Sequence, residues 1–239
     1  MPEAASRYRS AMTDWIEFAA AMALFLLSHR LPAMLGVKGG IEAALGRRGY
    51  LLLFSALSLL LLWWLILAAG RAPFVALWDQ RPWHRWAVNL VMPVAGALAV
   101  FGTLAANPFA FEGRASGFDP AHPGIAGVTR QPLLWAMALW SGVHLFPNGD
   151  LAHVLLFAPM LAFSLAGMAM VERRRRRGMS AADWDRLTAR TSLWPLAALF
   201  AGRWRPRSGP SLPRLALWLL LWAGLWHLHE PVIGIWPGV

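Results

Sequence analysis

The chain contains no cysteine, only 2 tyrosines, and few charges: Asp, Glu, Lys and Arg make up 14% of its 239 residues, against roughly 25% in soluble domains. Without thiols there can be no disulfide, no iron–sulfur cluster on cysteine, no thiolate-ligated haem and no covalent haem attachment through C-x-x-C-H. Any metal or haem falls to His, Met or oxygen ligands. Also missing are G-x-S-x-G, H-E-x-x-H, a Gly-rich phosphate loop after a strand, and any repeat of 20 to 50 residues. What is abundant is apolar: 58% hydrophobic residues with 15 Trp and 12 Phe, and a mean hydropathy of +0.47. A soluble globule cannot bury that much apolar surface and stay wettable, and a disordered chain lacks it. The remaining class is all-α: a polytopic bundle of membrane helices, for which this length allows roughly five to seven spans.

The pattern predicts six spans, at 15–36, 50–69, 86–106, 131–147, 151–171 and 213–230. Residues 1–11 read as a short polar tail and not a signal peptide. The whole of 1–239 reads as one transmembrane domain. Pro93 marks a kink in the third segment, and Pro213 suits a first helical position. The connection Pro147-Asn148-Gly149-Asp150 is so short and turn-rich that the fourth and fifth helices must be antiparallel neighbours. Asn148 and Asp150 are placed to cap the helix that follows.

The net charge of +10 would suggest nucleic acid in a soluble protein; here it reads as topology, and no nucleic-acid partner is expected. With the N-terminus outside, 17 of the 22 Lys and Arg lie on the inner side, as the positive-inside rule requires. Most of them are in a cytoplasmic basic loop at 172–214, which includes five consecutive arginines at 173–177. These would rest against anionic lipid headgroups. Ser180 and Asp183 look like a capping box for an amphipathic interfacial helix with Trp184, Leu187 and Leu193 on one side.

Ionisable groups within spans are costly and usually functional. Of the 7 histidines, His84 and His122 lie outside the apolar segments and are given no role. His29, His144, His153, His227 and His229 fall within them. Trp140, one turn before His144, shares its face. His227 and His229, two apart, point about 200° from each other. Imidazoles on two helices can hold a haem iron axially, with Trp and Phe lining the porphyrin and Arg30 or another interfacial Arg meeting the propionates. Each histidine also has a plain structural use, bonding a backbone carbonyl or sitting among headgroups.

One set of residues resembles a known family. The run Thr129-Arg130-Gln131-Pro132-Leu133-Leu134-Trp135, then Trp140, His144 and Asn148-Gly149-Asp150, is similar to the signature of NnrU proteins. Ser28-His29-Arg30, Arg48-Gly49-Tyr50 and Pro231-Val232-Ile233-Gly234 extend the resemblance over most of the chain. It implies a multi-pass protein of the bacterial inner (cytoplasmic) membrane, associated with nitric oxide and nitrite reduction. It also implies kinship with ζ-carotene isomerase, which binds haem b through histidines and isomerises a cis double bond of a carotenoid. On that resemblance His29 and His144 are the candidate ligands of a haem b iron, and Arg130, Pro132, Trp135, Asn148, Gly149 and Asp150 are motif residues. Gln131 departs from the family, which usually has His before this proline. A hydrophobic polyene or a respiratory complex, in addition to membrane lipid, would be the partner. The competing expectation is a non-enzymatic membrane factor for assembly of a respiratory or denitrification complex, using 173–214 as its docking surface. A small-solute or metal transporter is weaker, for no pair of Gly/Pro-broken half-helices stands out.

Overall fold

The computed structural model describes residues 2–111 and 113–239, with the side chains of 2–10 and 30–33 outside that description. The described chain is all-helical, 69% helix and without strands. Among the described residues nine helices follow in order: α1 Pro2–Met34, α2 Val37–Arg71, α3 Pro82–Gly102, α4 Ile125–Val128, α5 Pro132–His144, α6 Leu151–Arg177, α7 Ala181–Thr188, α8 Ala197–Phe200 and α9 Leu212–Ile233. They form two compact units, Met1–Asp79 with Asn148–Leu156, and Gln80–Pro147 with Phe157–Val239.

Among the described residues four helical stretches are long and apolar enough to cross a membrane: Ala11–His29, Val37–Arg71, Pro82–Gly102 and Leu151–Arg177. Their most apolar windows are only 11% to 28% buried within the protein. Side chains so apolar and so little covered need a non-aqueous surrounding, and a helix that satisfies its own backbone is what lipid admits. The expected six spans therefore narrow to four on these criteria. With 13 residues, α5 is about 20 Å long, short of a hydrocarbon core of about 30 Å. α9 has the length, but Arg214, His227, His229 and Glu230 dilute its apolar run.

In the first unit α1 and α2 are antiparallel. Glu17 of α1 accepts a hydrogen bond from Trp64 Nε1 (2.8 Å) and pairs with Arg71, both on α2. Glu17 thus has two partners 47 and 54 residues away, a separation at which no local pattern could reveal them. The apolar run of α2 starts near Tyr50, yet the helix begins at Val37. Gly46, at φ 69° and ψ 167°, interrupts it, so a short helix precedes the spanning one. Likewise α1 reaches back to Pro2, through the stretch expected to be a polar tail.

In the second unit α3 lies between α5 and α9. Trp218 Nε1 donates to the Pro93 carbonyl at 3.0 Å, and Arg214 to the Phe101 carbonyl at 2.8 Å. Near the other end of α3, Asn89 and Arg85 donate to the Pro237 and Gly238 carbonyls. The order of these contacts makes α3 and α9 antiparallel. α5 and α6 are also antiparallel neighbours, as their short connection predicts: Phe157 meets Trp140 and His144, and Leu161 lies beside Gly142.

Half of the capping box expected at Ser180 is present: Ser180 Oγ accepts from the Asp183 backbone N–H at 3.1 Å, while the Asp183 carboxylate accepts from the Ser180 hydroxyl at 2.8 Å. The helix it opens ends at Thr188, so Leu193 is outside it. Trp184 is buried against Phe109, ring centroids 5.7 Å apart. The apolar side of α7 is therefore spent on protein packing.

Candidate functional site

Three groups of side chains carry the chemistry foreseen in the sequence. The first is His144 at the end of α5, in the second unit. Its Nδ1 lies 2.7 Å from the Trp140 carbonyl oxygen one turn earlier. A carbonyl only accepts, so this nitrogen bears the proton, and in the neutral ring Nε2 carries the lone pair. Trp140 and Phe157 rings stand 5.6 and 5.3 Å from the imidazole. His29 of α1, in the first unit, repeats the arrangement: its Nδ1 is 2.7 Å from the Phe25 carbonyl, and Phe25 and Phe54 rings are 4.6 and 5.2 Å away. The Ser58 hydroxyl is 3.4 Å from His29 Nε2. The Arg30 side chain lies outside the described residues.

The second group is the motif around Arg130. Thr129 and Gln131 are fully enclosed, and so are Asn107 and Thr191 beside them. The Arg130 guanidinium pairs with Glu172 of α6, donates to Thr191 Oγ1 at 3.0 Å, and lies over the rings of Phe109 and Trp184. The Arg130 carbonyl accepts from Asn107 Nδ2 at 3.0 Å, while Trp135 Nε1 and Thr129 Oγ1 both donate to the Leu193 carbonyl. Pro132, the buried first residue of α5, meets Gly102 at the end of α3 so closely that a Cβ there would come within 2.6 Å of the proline ring. This motif makes Arg130, Pro132 and Trp135 a clasp that meets the end of α3, the stretch 107–109, α6, α7 and the stretch 191–193. Among the described residues no buried side-chain nitrogen or oxygen lacks a partner.

The third group is Asn148-Gly149-Asp150, in the first unit. The Gly149 carbonyl accepts from the backbone N–H groups of Leu77 and Trp78 at 2.7 and 3.1 Å, and a Cβ at 149 would fall 2.1 Å from the Trp78 oxygen. Glycine is required for that approach. Asp150 Oδ1 accepts from the His153 backbone N–H at 3.2 Å, capping α6 as expected, and Oδ2 holds His153 Nδ1 at 2.7 Å.

The family described as NnrU protein matches residues 17–237. The chain belongs to the NnrU family. No curated protein and no solved structure matches it.

Within this NnrU protein Gln131 acquires a plain explanation. Its amide donates to the Phe109 carbonyl at 2.8 Å and accepts from the Phe111 N–H at 3.1 Å, both needs of a buried loop met by one side chain. The remaining histidines divide by environment. His84, given no role from the sequence, is buried, and its Nδ1 accepts from the Arg81 backbone N–H at 3.1 Å, closing the start of α3. His229 donates to the Ile235 carbonyl at 2.6 Å, and His227 is exposed. Among the described residues no three His, Asp or Glu gather closely enough to hold a metal ion.

Proposed function

We propose that this NnrU protein is a multi-pass protein of the bacterial inner membrane that holds haem b through imidazole, with His144 and His29 each a candidate ligand of its iron. Its physiological work would be redox-dependent cis–trans isomerisation of a hydrophobic polyene, or a part in nitric oxide and nitrite metabolism. One observation carries the reading: both imidazoles, on different helices, have Nδ1 committed to the carbonyl four residues earlier, the kind of bond that orients a ligating histidine and raises the basicity of Nε2. The donor set fits haem better than a bare ion. A protein-caged metal needs three or four side chains in one place, whereas porphyrin asks the protein for one or two imidazoles.

When bound, haem b would supply a reducible iron able to exchange electron density with a conjugated double bond. The chain's own part is to fix the imidazoles by their carbonyl bonds and to shield His144 with Trp140 and Phe157, whereas His29 is exposed beside Phe25 and Phe54. Arg30 is the candidate partner of a propionate. In the same proposal α5 and α9 join the four spanning helices to make six crossings, with both chain ends outside and the basic loop in the cytoplasm.

A second reading, a membrane factor for assembly of a respiratory or denitrification complex, is favoured by Arg173, Arg174 and Arg177. These are exposed beside a cleft of about 490 Å³ along α6 and have no acidic partner among the described residues. The two readings separate on purification in detergent. Haem binding predicts a Soret band in the isolated protein or after addition of haem b; a preparation that stays colourless in both cases leaves the assembly factor.

A further inference from the structure

Behind the clasp, in the same unit, a groove of about 470 Å³ is lined by Arg190, Arg203, Trp204, Arg205 and Arg207, with Ala121 at its edge. Three of the four guanidiniums are held in place by neutral groups. Arg190 donates to the Ala121 carbonyl at 3.1 Å, Arg203 to the Ala189 and Thr191 carbonyls at 3.0 Å each, and Arg207 to His122 Nε2 at 2.9 Å. The wall carrying them is itself anchored. The backbone N–H groups of Arg203 and Trp204 share the Ala198 carbonyl, and the Trp204 indole lies so close to Gly127 that a Cβ there would approach within 2.3 Å of the ring. Asp119 is the carboxylate at this place. It pairs with His122 Nδ1 at 2.6 Å, and among the described residues no carboxylate pairs directly with any of the four arginines. Arg205 has no bonded partner among the described residues.

Carbonyls and an imidazole orient guanidiniums without cancelling their charge. Four like charges around one groove repel one another, and an anion entering it relieves that repulsion. The planar N–H forks of arginine match the oxygens of phosphate, and the volume lies in the range of small-ligand sites. We propose that this groove binds a phosphate-bearing anion, independently of any haem chemistry. The source is either a soluble phosphate ester or the headgroup of an anionic phospholipid, since both present the same group.

The test is equilibrium dialysis of radiolabelled pyrophosphate against the full-length protein in phosphatidylcholine nanodiscs at fixed ionic strength. The expected result is saturable binding, weakened about tenfold in Arg205→Gln, as loss of one charge-assisted contact implies, and weakened further when Arg207→Gln is added. Arg205 bonds to nothing that holds the loop, so its single variant should keep the wild-type unfolding temperature. Arg174→Gln, on α6, should bind as wild type. Nanodiscs containing phosphatidylglycerol assign the source: weaker pyrophosphate binding means that the lipid headgroup competes for the groove, and unchanged binding means a soluble ligand; both uphold the site. Absence of saturable binding in phosphatidylcholine, or an equal loss in Arg174→Gln, overturns it.

Discussion

Arg130 and Glu172 meet through two nitrogens and both carboxylate oxygens, with side chains 13% and 17% exposed. Arg130 opens the connection into α5 and Glu172 stands in the last third of α6, so the pair locks the two antiparallel helices at one end. Breaking a pair shielded to this degree leaves an uncompensated charge, which costs about 3 to 5 kcal/mol when burial is full. Glu172→Gln should therefore lose somewhat less than that, and the charge-swapped double variant Arg130→Glu with Glu172→Arg should not recover it. The swapped arginine would lack Thr191 and the two aromatic faces. Thermal unfolding in detergent, followed by helix content, checks both.

Gln131→Leu should destabilise the second unit by about 1 to 3 kcal/mol, because it strands the Phe109 carbonyl and the Phe111 N–H in a closed interior. Gln131→His keeps one donor and one acceptor and should lose less. If the leucine variant unfolds at the wild-type temperature, the amide is not the clasp described above.

Gly149→Ala should cost about 1 to 3 kcal/mol, as overpacking does, and should loosen the stretch that precedes α3, since the new methyl would collide with the Trp78 carbonyl. Limited proteolysis should then cut near residues 72–79 sooner than in the wild type. Equal cleavage rates would contradict the close approach.

Asp183 predicts a pH effect confined to α7. Bonds from Arg186 first, and from Ser180 second, hold its carboxyl below the ordinary 3.8. A carboxyl lowered on folding adds stability above its unfolded value and loses it as pH falls through the lower folded one. Hydrogen exchange across 181–188 should therefore quicken below about pH 3.8, and Asp183→Asn should remove that acid step.

Much of the fold was legible because membrane helices write their lengths in hydropathy. The Asn148-Gly149-Asp150 turn and the Ser180 cap were legible because caps and tight turns are local. The partners of Glu17 and Arg130 were not, for each ion pair joins residues more than 40 positions apart. The family motif pointed to Arg130, Pro132 and Trp135 without revealing that they act as a clasp. Likewise, a hydropathy profile treats 213–230 as a span while the histidines and charged ends of α9 dilute it. His84 was passed over because its position before an apolar run looks the same whether the ring faces water or bonds the start of its own helix.

The central claim, that imidazole of this chain holds haem b, is tested most directly by the absorption spectrum of His144→Ala beside His29→Ala and the wild type, each purified in detergent and supplied with haem b. The account predicts a Soret band in the wild type that is lost or shifted in at least one of the two variants while helix content is kept. A wild type that takes up no haem, or two variants whose spectra coincide with it, would contradict the claim.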